Sequence, residues 1–317
     1  MIFVYRPAAS TSAKLLAENI DGVRIRQEVN IRRRAKPTDK IVMWGAYLPN
    51  IRGVVLNNVP LQNKYEDALR LKEANVRTVE VARTRPNTTP VPAPVDPLLA
   101  LWDTAQDAAE AFIAVNVTRN QVAREGIVEL IGHLNRVFNA QTIPAPVAPP
   151  PAPATDWIGR TFNHTGGADL LNPQQHRPDF WAKKEAFTSE YRVHSFMGRS
   201  IRAGKKIPRE GFGLAAPNTT LRVAHPWVRS YDAGWMISYA DEAGIKQKHR
   251  DIAHAAVKAL GLQFGAVDIG ERADGTLVVL EVNRAPGVEN GTIDAYTRAV
   301  RRWIDESRPA PTGQAEA

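Results

Sequence analysis

FGAVDIGERADGTLVVLEVNRAPG, residues Phe264–Gly287, reads as a β-hairpin that carries oxygen donors on otherwise apolar strands. Gly265–Gly270 and Thr276–Asn283 have strand character, and the turn Ala273-Asp274-Gly275 joins them, because Asp-Gly tolerates positive φ. Glu281 and Asn283 are two residues apart and so share one face of their strand. Asp268 falls across the hairpin within reach of both. Two carboxylates and an amide among valines, isoleucine and leucine form a hard-oxygen site, and burying such carboxylates without a cation is costly. The donor set suits Mg²⁺, which is usually held by one or two carboxylates while substrate phosphates complete its octahedron; Mn²⁺ would also fit. Asp268, Glu281 and Asn283 are therefore the candidate metal ligands.

Outward from the hairpin, Lys248–Leu260 predicts a helix stopped by Gly261, and Thr292–Glu306 a final helix. Upstream, Arg160–Phe162, Phe180–Glu185 and Tyr191–Phe196 read as strands, the last ending in the turn Met197-Gly198-Arg199. Near the start, Ile2–Tyr5, Lys40–Trp44, Gly53–Leu56 and Val79–Val81 read as strands alternating with helices at Ala13–Asn19 and Asn63–Asn75. That alternation implies a small α/β unit with a largely parallel sheet. Between the two regions, Pro86–Pro97 and Pro144–Pro153 predict extended spacers around a helical hairpin, Leu98–Val115 and Asn120–Asn139. The expected division is an α/β unit over 1–85, a hairpin insert over 86–155, a second α/β unit over 156–306 and a disordered tail over 307–317. The insert is a candidate surface for homo-oligomer formation.

The 317 residues include no cysteine, which excludes a disulfide framework and thiolate metal sites, and turns the search for ligands towards oxygen. No stretch approaches the roughly 20 apolar residues that span a bilayer. The chain reads as soluble and cytoplasmic, without a membrane partner. The net charge of +8 permits a nucleic-acid or anionic-substrate partner without identifying one. Its densest run, Arg24–Arg34, could track nucleic-acid phosphates but lacks interleaved aromatics, so a solvated face is the preferred reading.

EVNRAPG preceded by FGAVDI resembles the metal-binding signature of the ATP-grasp superfamily of carboxylate–amine ligases, which includes D-alanine–D-alanine ligase and the ribosomal-protein glutamate ligases. The resemblance implies an α/β (α+β) ATP-grasp fold behind a Rossmann-like leading domain, with ATP and one or two Mg²⁺ ions as cofactors. Trp157–Leu170 is similar to the strand and glycine loop that close over the ATP phosphates. Arg160 then stands where the family usually has lysine, and Thr165, Gly166 and Gly167 would offer donors to phosphate. Phe180–Phe196 is similar to the hinge that holds the purine, placing Lys183 and Lys184 near the nucleotide and Glu190 at the ribose hydroxyls. Lys205, or its neighbour Lys206, falls where relatives place a further phosphate-binding lysine, although a solvated basic turn is an open alternative. Arg192 and Arg229 are implied as the catalytic cations at the transferring phosphoryl group. His194, on the same strand side as Glu190 and Arg192, reads as a packed histidine.

The pattern departs from D-alanine–D-alanine ligase at Ala266, where that enzyme has arginine, so Arg192 or Arg229 would have to supply the charge. Lys64 is the nearest counterpart of the early lysine that relatives carry. The implied reaction is ADP-forming C–N ligation: a carboxylate takes the γ-phosphate of ATP, and an amine displaces phosphate from the acyl-phosphate. The carboxylate belongs to a small molecule or peptide. Alternatives are an ATP-grasp kinase of a small molecule and an ATP-dependent modifier linked to nucleic acid.

Overall fold

A computed structural model describes residues 1–86, 157–162, 170, 177–213, 222–225, 228–288 and 291–307. The expected helical hairpin, the Thr165-Gly166-Gly167 loop and nearly all of the tail lie outside them.

The chain opens with an alternating unit: β1 (Ile2–Tyr5), α1 (Thr11–Asn19), β2 (Val23–Ile25), α2 (Glu28–Arg34), β3 (Lys40–Met43), β4 (Val54–Leu56) and α3 (Lys64–Glu73). Its four strands are all parallel, in the order β2-β1-β3-β4. Local chemistry sets the helix starts. Ser10 caps α1 by accepting from the Ala13 amide, and Asn63 and Glu66 form a reciprocal capping box at α3. The basic run at Arg24–Arg34 is structured: it completes β2 and forms α2, with Ile31 buried and Arg33 and Arg34 exposed.

The expected strand at Val79–Val81 is displaced to β5 (Val81–Ala82), and it does not close the first sheet. It pairs antiparallel with β7 (Phe180–Lys183), whose other neighbour is β6 (Trp157–Arg160). The cause is non-local, because the segment before β5 lies along the far hairpin. Thr78 bridges Val279, and the Val279 amide donates to the Arg77 carbonyl at 2.8 Å.

The centre is a five-stranded antiparallel sheet, β12-β9-β8-β13-β14. It comprises β8 (Ser189–Phe196), β9 (Arg199–Pro208), β12 (Trp235–Ser238), β13 (Phe264–Glu271) and β14 (Leu277–Asn283). A short parallel pair, β10 (Phe212–Gly213) and β11 (Arg222–Val223), lies beside it in the chain. The segment holding Lys205 and Lys206 is thus a ten-residue strand, not a turn. Met197 and Gly198, both at positive φ, make the tight β8–β9 turn.

One face of the central sheet is covered by α4 (Gln247–Ala259), with Ala253, Ala256 and Val257 packed against Val193, Val267, Ile269 and Val279. On the other face, Phe264 stacks between Phe196 and Trp44, and Tyr296 of α5 (Thr292–Glu306) meets Phe264 and Trp44 edge-on. This cluster also takes in Val4 and Leu16, so it fuses the first sheet to the second. Asn57, held at φ 58°, strengthens the join. Its side chain donates to the Phe264 carbonyl at 2.8 Å and accepts from the amides of Gln263 and Phe264. Among the described residues no helix is long and apolar enough to cross a membrane.

Candidate active site

Strand alternation sends Val193, Val267 and Ile269 towards α4 and sends Glu190, Arg192, His194 and Asp268 to the opposite face. Along that face the surface changes from aromatic to charged. Phe196 and Phe264 lie at the packed end, His194 follows, and Arg192, Asp268 and Glu190 lie beyond it.

Arg192, Asp268 and Glu281 form one cross-strand row, since Asp268 pairs in register with Arg192 on β8 and with Glu281 on β14. A bulge makes this row compatible with the core. Register shifts after Asp268, so that Ile269 faces Val279 and Leu280 is the extra residue. Val279 can then enter the core while Glu281, two residues on, stays with Asp268 on the charged face. Asn283 joins from the same strand, its amide donating to Glu281 Oε1 at 3.0 Å.

Each carboxylate has its own cation. Arg192 grips Asp268 with a two-pronged contact, Nε to Oδ1 at 2.6 Å and Nη2 to Oδ2 at 2.8 Å. Lys206 Nζ lies between Glu190 Oε2 at 3.0 Å and Asp268 Oδ2 at 3.4 Å. Arg229 approaches Glu190 at 3.6 Å, donates to the Phe187 carbonyl at 2.8 Å and lies over the Trp235 ring. Lys64, the first residue of α3, reaches Glu281 Oε2 at 2.6 Å. One turn further on, Asp67 pairs with Arg284 at 2.5 Å, and Arg284 also donates to the Pro60 carbonyl. Helix α3 is therefore fastened to the end of β14 at two points.

Burial opposes charge on Asp268, but Arg192 and Lys206 outweigh it and hold this carboxyl well below the usual carboxylate range. At Glu281, too, burial pushes upward, and Lys64 overcomes it to bring the group down to about 2. Lys206, although desolvated, is raised by Asp268 and Glu190 and stays an ammonium. His194 behaves differently. It is fully buried, with Nδ1 3.3 Å from Tyr296 Oη and Nε2 3.1 Å from Tyr239 Oη, and burial followed by the nearby Arg192 lowers it to about 3. It is a neutral, packed imidazole.

The structure brings Glu190, Arg192, Arg229, Asp268, Glu281 and Asn283 together on this face. It does not bring Lys205, which is exposed and lies 6.0 Å from the Tyr191 ring; Lys206 is the lysine turned inward. Lys183 stands at the end of β7 and pairs with Glu80 at 3.6 Å, while burial lowers the neighbouring Lys184. Arg160 ends β6 in register with Phe180. Around that small sheet, Phe162 stacks on Phe180, and Arg83 lies over Tyr65 and Phe162. Among the described residues no three His, Asp, Glu or Cys side chains cluster tightly enough to hold a metal by themselves. The oxygen donors here are two carboxylates and one amide, which leaves most of an octahedron to other ligands.

Neither a protein-family profile nor a curated protein matches the sequence. Solved structures do. D-alanine–D-alanine ligase from Bacillus anthracis aligns with a TM-score of 0.51 at 11% identity, covering 97% of this chain and 99% of that one. The architecture is that of the ATP-grasp fold. ATP-grasp ligase PsnB, complexed with minimal precursor, Mg and ADP, aligns with a TM-score of 0.48 at 12% identity, covering 96% of this chain and 98% of its own. Macrocyclase MdnC, bound with precursor peptide MdnA from Microcystis aeruginosa MRC, gives 0.47 at 11% identity, covering 97% and 100%. The charged row lies on the central sheet, and β5-β7-β6 is a separate three-stranded sheet.

Proposed function

We propose that the protein is an ADP-forming ATP-grasp ligase that joins the carboxylate of an amino acid or peptide to an amine through an acyl-phosphate. The observation that carries this reading is the juxtaposition of Asp268, Glu281 and Asn283 across one hairpin, faced by Lys64, Arg192, Lys206 and Arg229. These four cations against three carboxylates, Asp268, Glu281 and Glu190, leave an excess of positive charge at the site, which suits a polyphosphate.

Phosphoryl transfer requires little covalent chemistry from a protein; it requires in-line positioning and cancellation of charge. Asp268, Glu281 and Asn283 would hold Mg²⁺, which when bound would neutralise the β- and γ-phosphate oxygens. Arg192 would stand beside that site with its fork on Asp268, which fixes its direction, and with Nη1 left to meet phosphate oxygens. Lys206 and Arg229 supply fixed positive charge where a transferring phosphoryl group and the later tetrahedral adduct carry negative charge. Arg160, Lys183 and Lys184, with Thr165, Gly166 and Gly167, are proposed to bind the nucleotide. Glu190 is proposed to accept from the ribose; in the structure it pairs with Lys206 and Arg229.

The test is ADP release from Mg-ATP screened over amino acids and peptides, with mass spectrometry of the product. A product heavier by one amino acid or peptide, less water, with one ADP formed, is the expected result. A stable phosphorylated product formed without any amine would establish a kinase instead.

A further inference from the structure

The first sheet carries arginines that the proposed reaction leaves unused. From β1 the chain runs through α1 to β2 on one side, then through α2 to β3 on the other side of β1. The strand order therefore reverses between β1 and β3. Open α/β sheets bind ligands in the crevice outside the carboxyl ends of their strands at such a point. Arg6 directly follows β1, and Trp44 and Gly45 directly follow β3.

Arg6 is half-buried and held in place at this crevice. Its Nη1 donates to the Gly45 carbonyl at 2.7 Å and to the Trp44 carbonyl at 3.2 Å. Among the described residues Nη2 has no partner, and no carboxylate pairs with the guanidinium. The neighbouring charge has the same sign. Arg24 is likewise tied to backbone, donating to the carbonyls of Ile25, Arg6 and Ala8. Burial, and then the positive charges of Arg26 and Arg6, lower Arg24 from its ordinary value. Fixed cations that repel one another, with no acid paired to them, are stabilised by an arriving anion.

This corner meets the loop that leaves β14. A Cβ on Gly45 would lie 2.3 Å from Arg6 Nη1 and 2.5 Å from Ala285 Cβ, and Ala285 follows Asn283 by two residues. The missing side chain thus lets Arg6 come up against the segment next to the candidate metal ligands. Ser12 fastens the same loop, its Oγ accepting from the Val288 amide at 3.2 Å, while Ser10 caps α1. Of Arg6, Ser10 and Ser12, only Arg6 keeps a donor for a ligand.

We propose that Arg6 binds a substrate carboxylate other than the one that is phosphorylated. The inference rests on the ligase reading and narrows its substrate class: the reactants together carry a second, unreacting carboxylate. Its source is either an acyl donor with two carboxylates or an amine that is itself an amino acid or peptide. Arg192 and Lys206, the cations proposed for phosphate, stand on the central sheet, whereas Arg6 belongs to the first sheet, so its anion is a different group.

The experiment titrates the full chain with two pairs of probes in the presence of Mg-ADP, followed by saturation-transfer nuclear magnetic resonance. Glutarate and its monoamide glutaramate test the donor; alanine and alaninamide test the amine. Wild type should prefer the carboxylate member of one pair about tenfold, the worth of one charge-assisted hydrogen bond. The pair that shows the preference identifies the source. Arg6→Gln should abolish the preference while binding the amide member as wild type does, and Arg6→Lys, which keeps the charge without the fork, should retain part of it. No preference in wild type, or one undiminished in Arg6→Gln, overturns the inference. If Arg6→Gln loses the amides as well, Arg6→Lys decides, and an undiminished preference there overturns it. ADP-forming ligation without an Arg6-dependent preference overturns the inference alone. An Arg6-dependent preference in a chain that forms no ADP with any amino acid or peptide overturns the ligase reading and leaves the carboxylate site standing.

Discussion

Arg192 and Asp268 face each other in register across β8 and β13, joined by two hydrogen bonds of 2.6 and 2.8 Å, with Asp268 only 4% exposed. Removing one partner from a buried pair leaves an uncompensated charge, at a cost of roughly 3–5 kcal/mol. Arg192 keeps some contact with solvent and Lys206 remains beside Asp268, so Arg192→Ala is expected at the lower end, about 3 kcal/mol less stable by urea unfolding. Arg192→Lys keeps the charge without the fork and should recover part of that stability. Under the proposed function, both variants should release ADP about a hundredfold or more slowly. An alanine variant as stable as wild type would show that the pair carries no structural weight.

The two lysines on β9 separate a buried role from an exposed one. Lys206→Met removes the cation shared by Glu190 and Asp268, leaving both carboxylates short of a partner. Stability should fall by about 3 kcal/mol, and ATP turnover should fall at least a hundredfold. Lys205→Met, on the exposed side, should change stability by less than about 0.5 kcal/mol and leave turnover within a fewfold of wild type. The reverse ranking would return the phosphate-binding role to Lys205.

These two lysines also mark where the sequence stops being legible. The hairpin could be read because its turn is local and because Asp268, Glu281 and Asn283 depend only on strand alternation across it. The segment RSIRAGKKIP forms β9 against its own composition, with a glycine and paired lysines where a half-buried strand usually alternates. Its structure comes from ladders with β8 and β12 on either side, and these are tertiary facts. Lys64 is a second case. Its contact with Glu281 spans 217 residues of sequence and exists because α3 docks on β14. The path of the chain from α3 along Val279 and into β5 is non-local in the same way.

Acid should expose Glu281. Its folded value of about 2 lies below its ordinary 4.5, because Lys64 overcomes the effect of burial. A depressed carboxylate contributes stability that is present above its unfolded value and is lost as pH falls towards the folded one. Stability attributable to this group should therefore disappear between about pH 4.5 and 2, by linkage. Denaturant unfolding at stepped pH should show a shallower acid slope in Glu281→Gln than in wild type. Parallel curves would mean that Glu281 is not held as an ion by Lys64.

His194 occupies a different pH window. Its folded value of about 3 lies below the ordinary 6.5, since burial and then Arg192 oppose a second proton. The unfolded chain binds that proton first, so stability from this group is complete above pH 6.5 and declines as pH falls towards 3. Asp67, raised to about 6 by burial, and His225 and His249, both lowered by burial, also titrate near this interval, so the share of His194 is the difference between wild type and variant. His194→Gln should make the slope of stability against pH shallower between about pH 6.5 and 5 while lowering stability overall, through weaker contacts with Tyr239 and Tyr296. An unchanged slope would place the protonation elsewhere.

Gly204 tests whether the charged row depends on the strand behind it. It pairs with Arg192 on β8, and a Cβ there would lie 2.6 Å from Ile237 Cγ2, 2.7 Å from the Ser238 carbonyl oxygen and 2.8 Å from Tyr239 Cδ1. The carbonyl belongs to β12 and cannot yield as a flexible side-chain end would. Gly204→Ala must therefore push β12 from β9 and carry Tyr239 away from His194 Nε2. Overpacking of this kind costs roughly 1–3 kcal/mol. Gly287→Ala provides the comparison, because a Cβ there meets nothing within 4 Å, and its stability should match wild type within about 0.5 kcal/mol. If Gly204→Ala also loses ATP turnover while every charged side chain is retained, the row is positioned by β12 through Tyr239. Full turnover with reduced stability would confine the glycine to packing.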